Sequence, residues 1–233
     1  MYQGMLYTTF IDYIGGFTAL IVAWQLQKIR KSKKREYLKY LSYFFFLYGI
    51  LRVMAGTRIL FVWYGRRDIE NIIWKWVTGP LTYIHILPGF YYYTFLFFKS
   101  KTRRRWIRGI FTIIVIITIS SLYIYGYSLG KITYWGSKPV INPITNYLFL
   151  FAMFIPAISY SFADFFKRII RWRRTKEFME KRLFGFDLGL LIYAASGAAD
   201  ALGIVRNWPL LLVRSGIMAS ALVVYLFAVW EEE

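Results

Sequence analysis

The chain of 233 residues contains no cysteine and a single histidine, His85. Without cysteine there is no disulfide framework, no thiolate nucleophile and no sulfur ligand for a metal or an iron–sulfur cluster. One imidazole is too few for the bis-histidine ligation of a membrane b-type haem. We therefore expect a protein without a cofactor. We also expect that the protein is not an enzyme, because the sequence shows no recognisable set of a nucleophile, a general base and a residue that orients the base.

Acidic residues are scarce, since 12 Asp and Glu stand against 30 Lys and Arg, for a formal net charge of +18. In a soluble protein such an excess indicates nucleic-acid binding. Here 58% of the residues are hydrophobic and the mean hydropathy is +0.43, which leaves too little polar surface to cover a water-soluble globule. The composition predicts an integral membrane protein with no nucleic-acid partner.

Long apolar runs are abundant. A transmembrane helix needs about 20 largely apolar residues, and seven stretches meet this requirement. We predict an all-α fold, a single domain over residues 1–233 built as an integral membrane bundle of seven transmembrane helices. The predicted spans are Thr9–Gln27, Tyr37–Gly56, Ile72–Phe98, Trp106–Gly126, Ile144–Phe166, Gly185–Ile204 and Pro209–Trp230.

The basic residues predict the orientation of these spans. Segments 28–39, 99–108 and 167–184 together hold 21 Lys and Arg, whereas the alternate connections hold six. We therefore predict a multi-pass protein of the cell membrane. By the positive-inside rule, its amino terminus lies outside the cell and its carboxyl terminus lies in the cytoplasm. The basic inner loops then contact membrane lipids through anionic headgroups, and a partner protein at these loops is the alternative.

Ionisable residues inside a membrane are costly, so each needs a partner, a wet cavity or a route to the interface. Five charged residues from five spans are predicted to share one layer in the outer third of the bilayer, with His85 deeper. Asp12–Arg52 and Asp200–Arg214 are candidate ion pairs, which leaves Lys75 to meet an anionic or carbonyl-bearing ligand. The candidate ligand-binding residues are therefore Asp12, Arg52, Lys75, His85, Asp200 and Arg214.

A simpler interpretation of the same residues stays open. Asp12, Arg52 and Lys75 are close enough to the interface to extend to the headgroups. Asp200–Arg214 would then only clamp the last two helices together, and His85 would be a hydrogen-bonded interior residue rather than part of a proton relay.

Other features concern packing. Pro80 and Pro88 interrupt the third span, and Pro156 interrupts the fifth. The connection Tyr127–Pro143 reads as a turn-rich cap, and Lys167–Arg182 as a basic helical continuation of the fifth span. The small residues Ala194–Ala199 permit close packing on a neighbouring helix, or on a second protomer in a homo-oligomer.

The layout resembles the amino-terminal seven-helix sensor region of bacterial and archaeal histidine kinases and related receptors. The similar features are the Arg-rich first inner loop, a long third span after Asp68–Glu70, a basic inner segment, and Gly185–Leu190 with Asp200 before Trp208–Pro209. In that family an effector domain follows the last span, whereas here only Glu231–Glu233 follow Trp230. The resemblance therefore implies a receptor that passes its state to a separate partner.

We thus expect a non-enzymatic membrane receptor or sensor that binds a small polar or amphipathic ligand from the outer side. A small-solute transporter or channel using the same charged residues is one alternative. A structural subunit of a larger membrane complex is another.

Overall fold

The computed structural model describes residues 3–33, 36–134, 136–137, 139–175 and 191–192, which are mostly helical. The chain divides into two compact units, Met1–Met153 and Phe154–Glu233. The α-helices are α1 (Gln3–Lys33), α2 (Leu38–Trp63), α3 (Arg67–Ile73), α4 (Gly79–Ile84), α5 (Ile86–Phe97), α6 (Lys101–Ile124), α7 (Pro143–Phe149) and α8 (Ile155–Thr175), with π-helical turns at Trp74–Thr78 and Leu150–Phe154. Predicted spans six and seven lie outside the described residues, apart from Leu191 and Ile192.

Three of the described helices are long and apolar enough to cross a membrane. They are α1 over Gln3–Ser32, α2 and α6, and they correspond to the first, second and fourth predicted spans. Their length and composition are consistent with membrane association. The count of seven spans and their orientation stay predictions.

The predicted end of the second span at Gly56 is wrong, because α2 continues to Trp63. Its actual end is a Schellman motif, in which the Gly65 N–H bonds the Val62 carbonyl (3.0 Å) and the Arg66 N–H bonds the Phe61 carbonyl (2.9 Å). Gly65 adopts the left-handed conformation that this motif requires, with φ of 75°. The extension places Arg58 inside the helix rather than in the following connection.

The pairing of α1 with α2 depends on glycines at their crossing. A Cβ added to Gly16 would lie 3.0 Å from the Gly49 carbonyl oxygen, and one added to Gly49 would lie 2.9 Å from the Gly16 carbonyl oxygen. The two backbones are therefore in direct contact, as is typical of membrane helices that meet through small residues. Towards the other end of α1, the Ser42 hydroxyl donates to the Ala23 carbonyl (2.8 Å).

The third apolar stretch, predicted as one span over Ile72–Phe98, is helical but segmented. Pro80 lacks the N–H that would bond the carbonyl four residues earlier. The π turn Trp74–Thr78 precedes it, and the Gly79 N–H bonds the Trp74 carbonyl in the wider π pattern. A second interruption lies at His85, where α4 ends and α5 begins.

The described residues are mostly helical, as predicted, but the connection after α6 contains four strands of two residues each. β1 (Tyr127–Ser128) pairs antiparallel with β4 (Val140–Ile141), and β2 (Ile132–Thr133) pairs antiparallel with β3 (Gly136–Ser137). We call residues 127–141 the β-loop. α7 follows it, with Pro143 in its first turn and Asn142 as its N-cap.

Arg108 joins the start of α6 to α2 and α5. Its guanidinium donates to the Thr94 hydroxyl (2.8 Å), the Tyr91 carbonyl (3.2 Å) and the Tyr40 hydroxyl (3.2 Å). It also lies over the Phe95 ring, 4.5 Å from the ring centroid. The first residues of α2 and α6 therefore lie at the same end of the unit.

In the second unit, α8 extends the predicted fifth span to Thr175, which confirms that the basic segment starting at Lys167 is helical up to that residue. Within this helix, Arg168 Nε donates to Asp164 Oδ2 at 2.9 Å, and both side chains are buried. Asp164 and Arg168 therefore form a buried ion pair within α8.

Candidate functional site

Asp12 and Arg52 form the ion pair that the sequence predicts. The Arg52 Nη2 contacts Asp12 Oδ1, and the side chains are 6% and 11% exposed for Asp12 and Arg52. The pair joins α1 to α2 beside Gly56, where the Thr9 hydroxyl donates to the Gly56 carbonyl (3.4 Å). Because each charge is neutralised by the other, this pair explains how both are tolerated in an apolar interior.

The strength of this pair is open to a double-mutant cycle with Asp12→Asn and Arg52→Gln. We expect a coupling energy of about 1–2 kcal/mol, because the pair is buried between two helices. Unfolding of the purified protein in micelles measures it. The exposed Arg66–Asp68 pair is the control, since both side chains are more than half exposed and such pairs contribute about 0–1 kcal/mol. Equal coupling in the two pairs would contradict the expectation.

A second buried charge cluster was not predicted. Glu70 is completely buried, and its two carboxylate oxygens accept from different arginines. Arg58 Nη1 donates to Oε1 at 2.9 Å, and Arg67 Nη1 donates to Oε2 at 2.6 Å. The Ser137 hydroxyl makes a short hydrogen bond to Oε1. We call these four residues the Glu70 cluster.

The Glu70 cluster attaches the β-loop to the helices. Arg58 Nη2 donates to the Ser137 carbonyl (3.0 Å), and Arg67 Nη2 donates to the Gly130 carbonyl (2.9 Å). Both arginines thus bond Glu70 with one nitrogen and the loop backbone with another. Arg58 also lies over the Trp74 ring, 5.6 Å from its centroid, which links the cluster to the π turn.

Two signals in the sequence point to this cluster. Gly65 marks the end of α2, which places Arg58 about one and a half turns inside the helix. Arg67 precedes Glu70 by three residues, so both lie on one helix face. Because the predicted second span ends at Gly56, that prediction assigns Arg58 to the following connection instead of to the helix. The contribution of Ser137 carries no sequence signal, because it depends on how the β-loop folds back.

Lys75 lies apart from the Asp12–Arg52 pair. Its side chain is exposed, and its Nζ is 5.1 Å from the centroid of the Trp76 ring. It lines an open groove of about 430 Å³ beside the π turn, between α3, the end of α6 and the β-loop. The other lining residues are Asn71, Leu122, Tyr123, Gly126, Tyr127 and Leu129.

Hydrogen bonds fix the aromatic walls of the groove. The Tyr123 hydroxyl donates to the Lys75 carbonyl (2.6 Å), and the Tyr127 hydroxyl donates to Asn71 Oδ1 (2.8 Å). Partial burial raises the pKa of Tyr127, so its phenol stays protonated and keeps donating. The Tyr127 ring also packs edge-on against Trp74, with 6.1 Å between centroids.

His85 is buried away from the groove. Its Nδ1 lies 2.9 Å from the Leu81 carbonyl, and Phe44 and Tyr48 pack beside its ring with centroids 5.9 Å away. A carbonyl oxygen only accepts, so Nδ1 carries the proton in this bond. These contacts agree with the interpretation of His85 as a hydrogen-bonded interior residue.

The remaining candidates, Asp200 and Arg214, lie outside the described residues. Their pairing stays a prediction. Within the described part of the chain, no group of three or more His, Asp or Glu side chains is placed to hold a metal ion.

Comparisons with protein-family models, with curated proteins and with solved structures find no match to this chain. The resemblance to histidine-kinase sensor regions therefore stays a prediction.

Proposed function

We propose that this chain is a multi-pass membrane protein of receptor or sensor type, which binds a small polar or amphipathic ligand from the outer side of the cell membrane. The observation that carries the proposal is the groove beside Lys75. Its volume of about 430 Å³ is within the roughly 300–1,000 Å³ range typical of small-molecule sites. One cationic side chain and two tyrosines line it, which suits recognition of a polar group.

The distribution of basic residues supports an outward-facing groove. The basic residues of segments 28–39 and 99–108 adjoin the starts of α2 and α6, which Arg108 holds at one end of the first unit. The groove lies at the opposite end of α6, around Tyr123. If the basic end faces the cytoplasm, as the positive-inside rule predicts, the groove opens to the outside.

The Glu70 cluster supports a sensor over a passive subunit. It ties the β-loop to α2 and α3, and Trp74 packs between the cluster and Tyr127 in the groove wall. A ligand that displaces Tyr127 would therefore disturb a contact leading to the cluster. Such a chain of packed groups is the kind of physical connection that a sensor needs.

The orientation is testable with single cysteines, because the chain contains none and the wild type gives no background labelling. Ser128→Cys, in the β-loop, is expected to react with a membrane-impermeant maleimide on intact cells. Ser32→Cys, at the basic end of α1, is expected to react only after permeabilisation. Both serines are exposed. Labelling in the reverse pattern would place the groove inside and overturn the proposal.

The three functional classes differ in what purified protein does. A receptor is stabilised by its ligand without carrying it across the membrane, whereas a transporter in sealed vesicles produces flux. A structural subunit instead co-purifies with a fixed partner. We expect stabilisation without flux when octanesulfonate, which is permanently anionic, is the probe.

A further inference from the structure

The geometry points to an anionic amphiphile as the ligand of the groove: a headgroup with acceptor oxygens held by Lys75 and Asn71, and an apolar body against Leu129 and the rings of Tyr123 and Tyr127. This inference rests on the proposed function and names the chemical class of its ligand. It follows from the charges around the groove, from the hydrogen bonds of its polar groups and from its apolar wall.

Lys75 supplies the positive charge of the groove. Among the described residues, no carboxylate lies within ion-pair distance of its Nζ, and no acidic residue lines the groove. The two nearest carboxylates along the chain are already engaged. Asp68 accepts two bonds from Arg66, at 3.0 and 2.7 Å, and Glu70 is buried with two arginines. The groove therefore favours a negative charge.

The other polar groups of the groove also favour an acceptor. Both tyrosine hydroxyl hydrogens are used within the protein, by the Lys75 carbonyl and by Asn71 Oδ1. Since Asn71 accepts with its oxygen, its NH₂ group is the end that remains to donate. Lys75 and Asn71 thus offer donors, which a sulfonate, phosphate or carboxylate group accepts.

The rest of the lining is apolar. Leu129 and the rings of Tyr123 and Tyr127 form the accessible apolar surface, whereas Leu122 lies completely buried beneath it. This surface suits a short alkyl or aromatic body. Tyr and Trp rings are typical of the membrane–water interface, where one end of a ligand is apolar and the other is wet. An anionic headgroup on an apolar body matches both parts of the groove.

The test measures binding of three probes that share an octyl chain and differ in headgroup: octanesulfonate, octyltrimethylammonium and octyl glucoside. The full chain is held in nanodiscs of zwitterionic phosphatidylcholine, and binding is read from thermal stabilisation at increasing probe concentration. We expect octanesulfonate to bind at least ten-fold more tightly than the cation. Lys75→Gln should lower the affinity for octanesulfonate about ten-fold or more, because a hydrogen bond to a charged group is lost.

Lys101→Gln is the matched control. Lys101 is an exposed lysine at the other end of α6, so its loss changes the net charge equally and should leave octanesulfonate binding unchanged. Lys75→Arg should keep most of the affinity, since the charge remains. Equal binding of the cation, or binding that Lys75→Gln leaves unchanged, would overturn the inference.

A groove-filling variant, Leu129→Trp, tests whether the groove is a ligand site separately from whether its ligand is anionic. If it abolishes binding of all three probes while Lys75→Gln has no effect, the groove binds ligands but the anionic class is wrong. If Leu129→Trp changes the binding of none of them, the groove is not a ligand site and the proposed function fails as well.

The anion has two natural sources, a lipid headgroup and a free amphiphile, and lipid composition distinguishes them. Stabilisation by phosphatidylglycerol nanodiscs that is lost in Lys75→Gln identifies a lipid headgroup. Octanesulfonate binding that persists undiminished in phosphatidylglycerol nanodiscs identifies a free amphiphile. Either result supports an anionic ligand at Lys75.

Discussion

Replacing Glu70 with glutamine is expected to lower the free energy of unfolding by about 3–5 kcal/mol. The substitution keeps the size of the side chain but removes its charge, so that Arg58 is left as a buried cation without the carboxylate that binds it. Removing one partner of a buried ion pair costs this much because the remaining charge stays desolvated. Chemical unfolding of the purified protein in micelles or nanodiscs measures the change.

Asp68→Asn is the matched control for this prediction. It removes a carboxylate two residues away on the same helix, but its ion pair with Arg66 is exposed, with side chains 60% and 57% exposed for Asp68 and Arg66. Exposed pairs of this kind contribute about 0–1 kcal/mol. Equal losses of stability in the two variants would show that burial of Glu70 does not determine its importance.

Glu70→Gln should also have a local effect on the β-loop. Without the Glu70 carboxylate, Arg58 and Arg67 lose the group that orients their bonds to the carbonyls of Ser137 and Gly130. Amide exchange within residues 127–141 is therefore expected to rise more than exchange within α1. A uniform change across the first unit would indicate general destabilisation instead.

The sequence predicts well those parts of the fold that are determined by a pattern extending over a whole helix. Apolar runs of about 20 residues correctly located α1 and α6, because the hydrophobic requirement of a membrane span acts on the whole segment. Asp12 and Arg52 were paired correctly for a related reason: two opposite charges at similar depth in neighbouring apolar helices have few other ways to be neutralised.

The parts that it predicts poorly depend on contacts between distant residues. Gly56 and Gly65 are the same residue type, yet the first packs against Asp12 inside α2 and the second ends the helix. Only the three-dimensional neighbours distinguish these roles. Ser137 similarly contacts Glu70, which lies 67 residues earlier in the chain, because the β-loop folds back onto the helices. No local sequence pattern predicts that contact.

Lys75 shows why the neighbours of a residue are harder to predict than its depth along a helix. The sequence puts it in one layer with Asp12 and Arg52, since depth along a helix is readable from spacing. Direction around the helix is less certain where a π turn changes the periodicity, and Lys75 lies within the turn Trp74–Thr78. The structure accordingly places it in the groove with Tyr123 and Tyr127, away from the ion pair.

The second large effect is expected at the crossing of α1 and α2. In Gly49→Leu the new Cβ would lie 2.9 Å from the Gly16 carbonyl oxygen and 2.7 Å from Leu20 Cγ. The backbone oxygen cannot yield without separating the helices, so the free energy of unfolding should fall by about 3 kcal/mol or more, the upper part of the range for overpacking. Thermal unfolding in micelles should show a correspondingly lower midpoint.

Gly109 provides the control, because it also lies within a long helix but an added Cβ there would have no atom within 4 Å. Glycine-to-alanine exchange in an open helical position gains up to about 1 kcal/mol of helix propensity. Gly109→Ala should therefore be neutral or stabilising, whereas Gly49→Ala should be destabilising despite the same gain in propensity. The difference between the two isolates the cost of the clash. If both variants were equally stable, α1 and α2 would not be in backbone contact at Gly16 and Gly49.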